Sequence, residues 1–142
     1  MSGLSERCDT ILAEVRRNGG RLTTPRRAIV EALVRAGGHV TADELADAVQ
    51  KDYPEVHLTT VYRFLDTLEK LGLVDHVHLG HGRAVYHLAG DAHHHLVCED
   101  CGDVVEVPDE TFAELGTELL REYGFTVRPR HFAVVGRCRR CA

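Results

Sequence analysis

Residues 58–88 read LTTVYRFLDTLEKLGLVDHVHLGHGRAVYHL, and this stretch decides the fold. Val61, Phe64, Leu65 and Leu68 recur at i, i+3, i+4 and i+7, which predicts a helix over about 59–71 with one apolar face. Thr59, Tyr62, Arg63 and Asp66 share its other face. Two runs of alternating polarity follow, 74–79 and 83–88, joined by Gly80-His81-Gly82, the signature of a β-hairpin with a glycine turn. Upstream, Cys8, Ile11, Leu12 and Val15 predict a helix over 5–18 that Gly19-Gly20 stops, and they place Cys8 in the core as a small hydrophobe. A second helix opens with Thr24 as N-cap and Pro25 at its first position, burying Ile29, Ala32 and Leu33 before Gly37-Gly38. A third opens with the capping box Thr41/Glu44 and buries Ala42, Leu45, Ala46 and Val49. The link 53–58, with Pro54, then suits helix-turn-helix. Helices followed by a hairpin make a winged helix.

Beyond residue 92 the pattern changes. Strands are predicted at 93–98, 103–107 and 130–136, with a helix at 109–123 that buries Phe112, Leu115, Leu119 and Tyr123. The class is α+β, with a winged helix-turn-helix domain at 1–88, a hinge at 89–92 and a small α/β domain at 93–142. About fifty residues are too few for a self-sufficient core, so the second domain needs metal, a partner copy or both.

Composition narrows the field. The 142 residues are 44% hydrophobic and 27% charged, which fits a packed chain and neither a membrane protein nor a disordered one. No run reaches the ~20 apolar residues of a spanning helix, and MSGLSERCDT has no apolar signal region. A soluble cytoplasmic protein is expected. The net charge of −5 argues against a simple basic nucleic-acid binder. Residues 1–90, however, carry 11 Lys+Arg against 12 Asp+Glu, and Arg16, Arg17, Arg21, Arg26 and Arg27 crowd together. The acidity lies mostly in residues 91–142, with 6 against 10, so DNA remains a candidate partner.

Four of the five cysteines form two pairs, Cys98-x2-Cys101 and Cys138-x2-Cys141. A reducing compartment disfavours disulfides. Four thiolates fill a tetrahedral zinc shell and leave no open position, which points to a structural site; a pair of redox dithiols is the alternative. The ten histidines are less simple. His93 and His95 share one strand face and can converge on an ion, while His94 points the other way. His76 and His78 share a face of the first wing strand, and His87 lies on the second. His39 sits between the second and third helices, Glu106 at a strand end, and His131 opens the last strand. His57 and His81 are expected at the surface. Imidazole suits zinc, nickel, copper and iron, so donor type alone does not name the metal. Tyr62 and Arg63 are what a recognition helix offers to a thymine methyl and to guanine or phosphate.

Taken in order, LTTPRRAIV (22–30), HVTADEL (39–45), LTTVYRFLDTLEKLGLV (58–74), HHHLVCEDCG (93–102) and GRCRRC (136–141) resemble the ferric uptake regulator (Fur) family of metal-responsive repressors over nearly the whole chain. The resemblance implies a winged helix that binds an AT-rich palindrome in double-stranded DNA, and a C-terminal domain that forms a homodimer. It implies structural zinc at Cys98, Cys101, Cys138 and Cys141. It also implies a regulatory ion at His39, His87, His93, His95 and Glu106, and DNA contacts by Arg26, Thr59, Thr60, Tyr62 and Arg63. Peroxide-sensing members carry aspartate at the positions of His87 and Glu106, and zinc-sensing actinobacterial members carry a cysteine near 87–89, where this chain has His, Leu and Ala. The wing DHVHLGHGRAVYHL (75–88) and RHFAVVGRC (130–138) are most similar to the nickel-responsive Nur branch. There His76, His78 and His131 would bind nickel and a second site would use His39, His93 and His95, although Asp91 replaces one histidine of that branch. Nickel or ferrous iron is the implied regulatory metal, with zinc and manganese behind. A zinc hydrolase lacks its HExxH, nucleophile elbow or acid/base pair, and a metal buffer has no use for a recognition helix.

Overall fold

A computed structural model describes residues 2–78, 84–90, 93–127 and 133–142; of His93 the backbone alone is described. Helices α1 (Ser2–Arg17), α2 (Thr24–Ala36), α3 (Ala42–Gln50) and α4 (Leu58–Lys70) are followed by strands β2 (Val74–His78) and β3 (Ala84–Leu88), with a two-residue strand β1 (Val40–Thr41) ahead of α3. The sheet order is β1-β3-β2. Next come β4 (His93–Cys98), β5 (Val104–Pro108), a 3-10 turn (Asp109–Phe112), α5 (Ala113–Tyr123) and β6 (Ala133–Gly136), in a second sheet of order β5-β4-β6. Two compact units result, one of Met1–His76 with Val85–Ala89, the other of Val77–Ala84 with Gly90–Ala142. The expected hinge at 89–92 and wing turn at 80–82 lie partly or wholly outside the described residues. Among those described, no helix is long and apolar enough to cross a membrane.

The first unit closes on apolar side chains. Cys8, Ile11, Leu12 and Val15 of α1 are buried, as are Ile29 and Leu33 of α2, Ala42, Leu45, Ala46 and Val49 of α3, and Val61, Phe64, Leu65 and Leu68 of α4. Each Val, Leu, Ile or Phe so buried contributes about 1.5–3 kcal/mol against exposure. On α2 the stripe is wider than periodicity implied, since Val30 and Val34 are also buried and Ala32 is half-buried. Its N-cap is Thr23, not Thr24: Thr23 is extended and its hydroxyl accepts the Arg26 N–H at 3.3 Å, which moves Pro25 one position inward. Two adjacent threonines both qualify as caps, and the chain uses the earlier one. The Thr41/Glu44 capping box forms as expected, with bonds of 3.1 and 2.8 Å.

The second unit differs. The predicted helix at 109–123 begins as a 3-10 turn and buries none of its apolar residues fully. Leu115 and Tyr123 are exposed, as are Leu120, Phe125, Val105 and Val135 elsewhere in this unit, while Phe112 and Leu119 are half-buried. The amphipathic period is present, but a three-stranded sheet from one small chain supplies too little surface to cover it.

Candidate metal centres and nucleic-acid interface

The cysteine site is built by the second sheet. Strand β6 runs parallel to β4 with Gly136 opposite Cys98, so the chain returns to the first cysteine pair two residues before Cys138. That pairing accounts for the long gap in sequence between the pairs. The first turn is closed by Gly102 N–H to the Cys98 carbonyl at 2.9 Å, with Gly102 at φ 75°, a left-handed conformation that suits glycine. The second is closed by Cys141 N–H to the Cys138 carbonyl at 3.0 Å. All four sulfurs lie within 4.8 Å of one another, and Cys101 and Cys138 Sγ are 3.7 Å apart. Tetrahedral zinc with Zn–S near ~2.3 Å requires sulfurs about 3.8 Å apart, so the donor set fits structural zinc. The Cys138 N–H donates to Cys98 Sγ at 3.3 Å. The backbone N–H of Cys101, and then that of Cys138, hold the Cys98 thiol down to about 6, as a zinc ligand requires. The adjoining Cys138 sulfur, ahead of Cys101, pushes the Cys141 thiol up to about 12. Four crowded thiols cannot all ionise without a cation among them. Ion pairs the sequence did not signal cross between the two turns: Arg140 to Asp103 at 3.0 Å, and Arg137 to Asp100 at 3.2 Å. All four side chains are exposed, so each pair contributes little alone.

The residues expected to hold a regulatory ion fall in two groups. Strand β1, unforeseen in sequence, pairs with β3 so that Val40 lies opposite Tyr86 and Thr41 opposite Val85. The next step of that register sets His39 against His87, and their rings stand 5.5 Å apart. In the second unit β4 and β5 are antiparallel with His95 directly opposite Glu106. Glu106 is thus in mid-strand, not at a strand end. Ligand atoms of His95 and Glu106 lie within 4.8 Å, His95 being only 2% exposed. His93 is two residues earlier on β4, on the same face by the strand period. His94, on the opposite face, is buried with Nε2 3.1 Å from Asp109 and its ring edge on Phe112, which anchors the 3-10 turn to the sheet.

On the wing, His76 Nδ1 bonds the Glu69 carboxylate of α4, and its ring is 5.8 Å from that of Tyr86. His78 is exposed, and His131 lies outside the described residues. Burial first, then the charges of Tyr62, Glu69 and Asp66, push the Tyr86 phenol above its ordinary range.

Thr59, Thr60, Tyr62 and Arg63, the residues expected to contact DNA, are all exposed on α4 while Val61, Phe64, Leu65 and Leu68 hold it to the core. Arg26 is half-buried; its guanidinium donates to the Arg21 carbonyl at 3.1 Å and stacks 4.9 Å over the Phe64 ring. It therefore braces the back of α4. Arg16, Arg21 and Arg27 line a depression of 470 Å³ beside the start of α2, which gives this acidic chain a local basic surface suited to phosphate.

Comparison with known proteins agrees with this fold. The family model described as "Ferric uptake regulator family" matches residues 17–134. The ferric uptake regulation protein of Bacillus subtilis is 32% identical over 97% of this chain and 96% of its own. The solved ferric uptake regulator from Pseudomonas aeruginosa with manganese is 34% identical, with a TM-score of 0.71, over 89% of this chain and 96% of that one. The Helicobacter pylori ferric uptake regulator superposes at a TM-score of 0.76 over 97% of this chain and 93% of its own; at 22% identity it shows likeness of fold alone. Such proteins are dimeric DNA-binding regulators and not enzymes. The chain belongs to the ferric uptake regulator family of metal-responsive transcriptional regulators.

Proposed function

We propose that this protein is a nickel-responsive repressor, a cytoplasmic homodimer that binds an AT-rich palindrome when a regulatory ion is held by His39, His87, His93, His95 and Glu106. The observation that carries the reading is the donor chemistry. The His39 and His87 rings lie together in one unit, and buried His95 faces Glu106 in the other. Four of the five ligands are imidazole, which favours nickel over oxygen-seeking ions. Ligands drawn from both units make ion capture and the DNA-competent arrangement one equilibrium, so ion and operator each tighten the other's binding. A second nickel ion would use His76, His78 and His131 on the wing and last strand, as in the Nur branch. Thr59, Thr60, Tyr62 and Arg63 would meet the operator, and the remaining N–H groups of Arg26 a phosphate at its edge. A two-fold dimer matches two half-sites of a palindrome.

Iron is the second reading. Glu106 supplies an oxygen donor, and the B. subtilis relative is named for ferric uptake. Protein carrying only its structural zinc, mixed anaerobically with the DNA upstream of its own gene at fixed salt, separates the two. Buffered Ni²⁺ should induce binding where Fe²⁺ at cell-like concentration does not. Activation by Fe²⁺ alone would overturn the nickel assignment.

A further inference from the structure

The wing histidine His76 does not stand by itself. Its Nδ1 bonds Glu69, a residue of α4, and both side chains are mostly buried, at 30% and 23% exposure. Glu69 lies seven residues after Tyr62, two helical turns along the same face. Tyr86 of β3 packs against His76, with ring centroids 5.8 Å apart. The first wing strand is thus tied by a side-chain bond to the helix that reads DNA.

From this geometry we infer that Glu69 is a positioning residue that couples His76 to the reading face of α4, so that a cation taken by His76 is felt at Tyr62 and Arg63. The inference rests on the reading of His76 as a wing ligand. With Nδ1–H committed to the carboxylate, Nε2 is the atom presented to an ion. A carboxylate on the far nitrogen fixes tautomer and ring orientation and raises the basicity of the ligating nitrogen. A cation on Nε2 in turn makes Nδ1–H a stronger donor and tightens its bond to Glu69. Helix and wing are then drawn together by the ligand on His76, and operator binding must strengthen ion binding in the same proportion.

Glu69→Ala, Glu69→Gln and His76→Ala test this in otherwise intact protein with its structural zinc, using zinc content and helical circular dichroism as controls for folding. Long-range proton–nitrogen NMR of nickel-free wild type should find the His76 proton on Nδ1, with that population falling in Glu69→Ala. The Ni²⁺ concentration for half-maximal operator binding should rise by about tenfold or more in Glu69→Ala. Glu69→Gln, which keeps an acceptor and loses the charge, should fall between. A wild-type His76 protonated on Nε2 would overturn the inference without any variant. So would Glu69→Ala within twofold of wild type while His76→Ala loses its nickel response, a result that leaves the wing ligand standing. If both variants respond to Ni²⁺ as wild type does, the wing site itself falls and the inference with it.

Discussion

In the N-terminal unit α2, α3 and α4 each bury four residues, whereas α5 in the C-terminal unit buries none and leaves Leu120 and Tyr123 more than half exposed, as is Phe125 just beyond its end. Both units have amphipathic helices, so periodicity does not separate them. The difference is in what each helix finds to pack on. The first unit stacks helices on one another and closes on hydrophobic area. The second has a narrow sheet, a cysteine cluster whose sulfurs could hold a metal ion, and an exposed apolar helix face, in a family whose members are dimeric. Stability should therefore have different currencies in the two halves.

The largest test of that contrast is zinc removal. Structural zinc sites carry on the order of 10–16 kcal/mol of apparent binding energy near neutral pH, which is folding energy for a small unit. Chelation, or Cys138→Ser, should abolish hydrogen-exchange protection across β4, β5 and β6 and leave α1–α4 protected. Uniform loss through both units would show that the halves fold as one. Core truncation comes next: Phe64→Ala should cost ~3–5 kcal/mol in chemical unfolding of the first unit, since it opens a cavity and removes the ring under Arg26. Leu120→Ala should instead leave monomer stability within about 0.5 kcal/mol and weaken the dimer in sedimentation. Loss of monomer stability there would mean that α5 is packed within its own chain.

Smaller effects sharpen the comparison further. Arg63→Ala should weaken operator binding by about 1–3 kcal/mol without changing zinc content, because the side chain is exposed on α4 and remote in sequence from the cysteines. Unaltered affinity would take the reading face away from this helix. Thr41→Ala removes the acceptor for the Glu44 N–H and should lower the unfolding free energy of the first unit by about 1 kcal/mol.

The same contrast explains what was legible in sequence. The apolar stripes of α1, α3 and α4 were readable because their packing partners are local, and the capping box because its chemistry is confined to four residues. The cysteine quartet was readable from ligand type and spacing alone. Thr23 could not be told from Thr24, because both carry the same capping hydroxyl. Strand β1 was hidden in two residues, yet it sets His39 beside His87, a proximity that the family resemblance implied and local patterning did not. The mid-strand place of Glu106 depends on a pairing register with no local signature. Asp109 and Glu69, partners of His94 and His76, have no local signature, because each carboxylate reaches its histidine from another element through tertiary packing.

Metal-gated DNA binding is most directly tested by reciprocity. Nickel affinity of the zinc-loaded protein should be measured with and without saturating operator, and operator affinity with and without saturating nickel. If one ion-linked equilibrium governs both, the two ratios must agree and exceed unity, typically by about 5–150-fold. Nickel that binds equally well with and without operator would contradict gating, whatever its affinity.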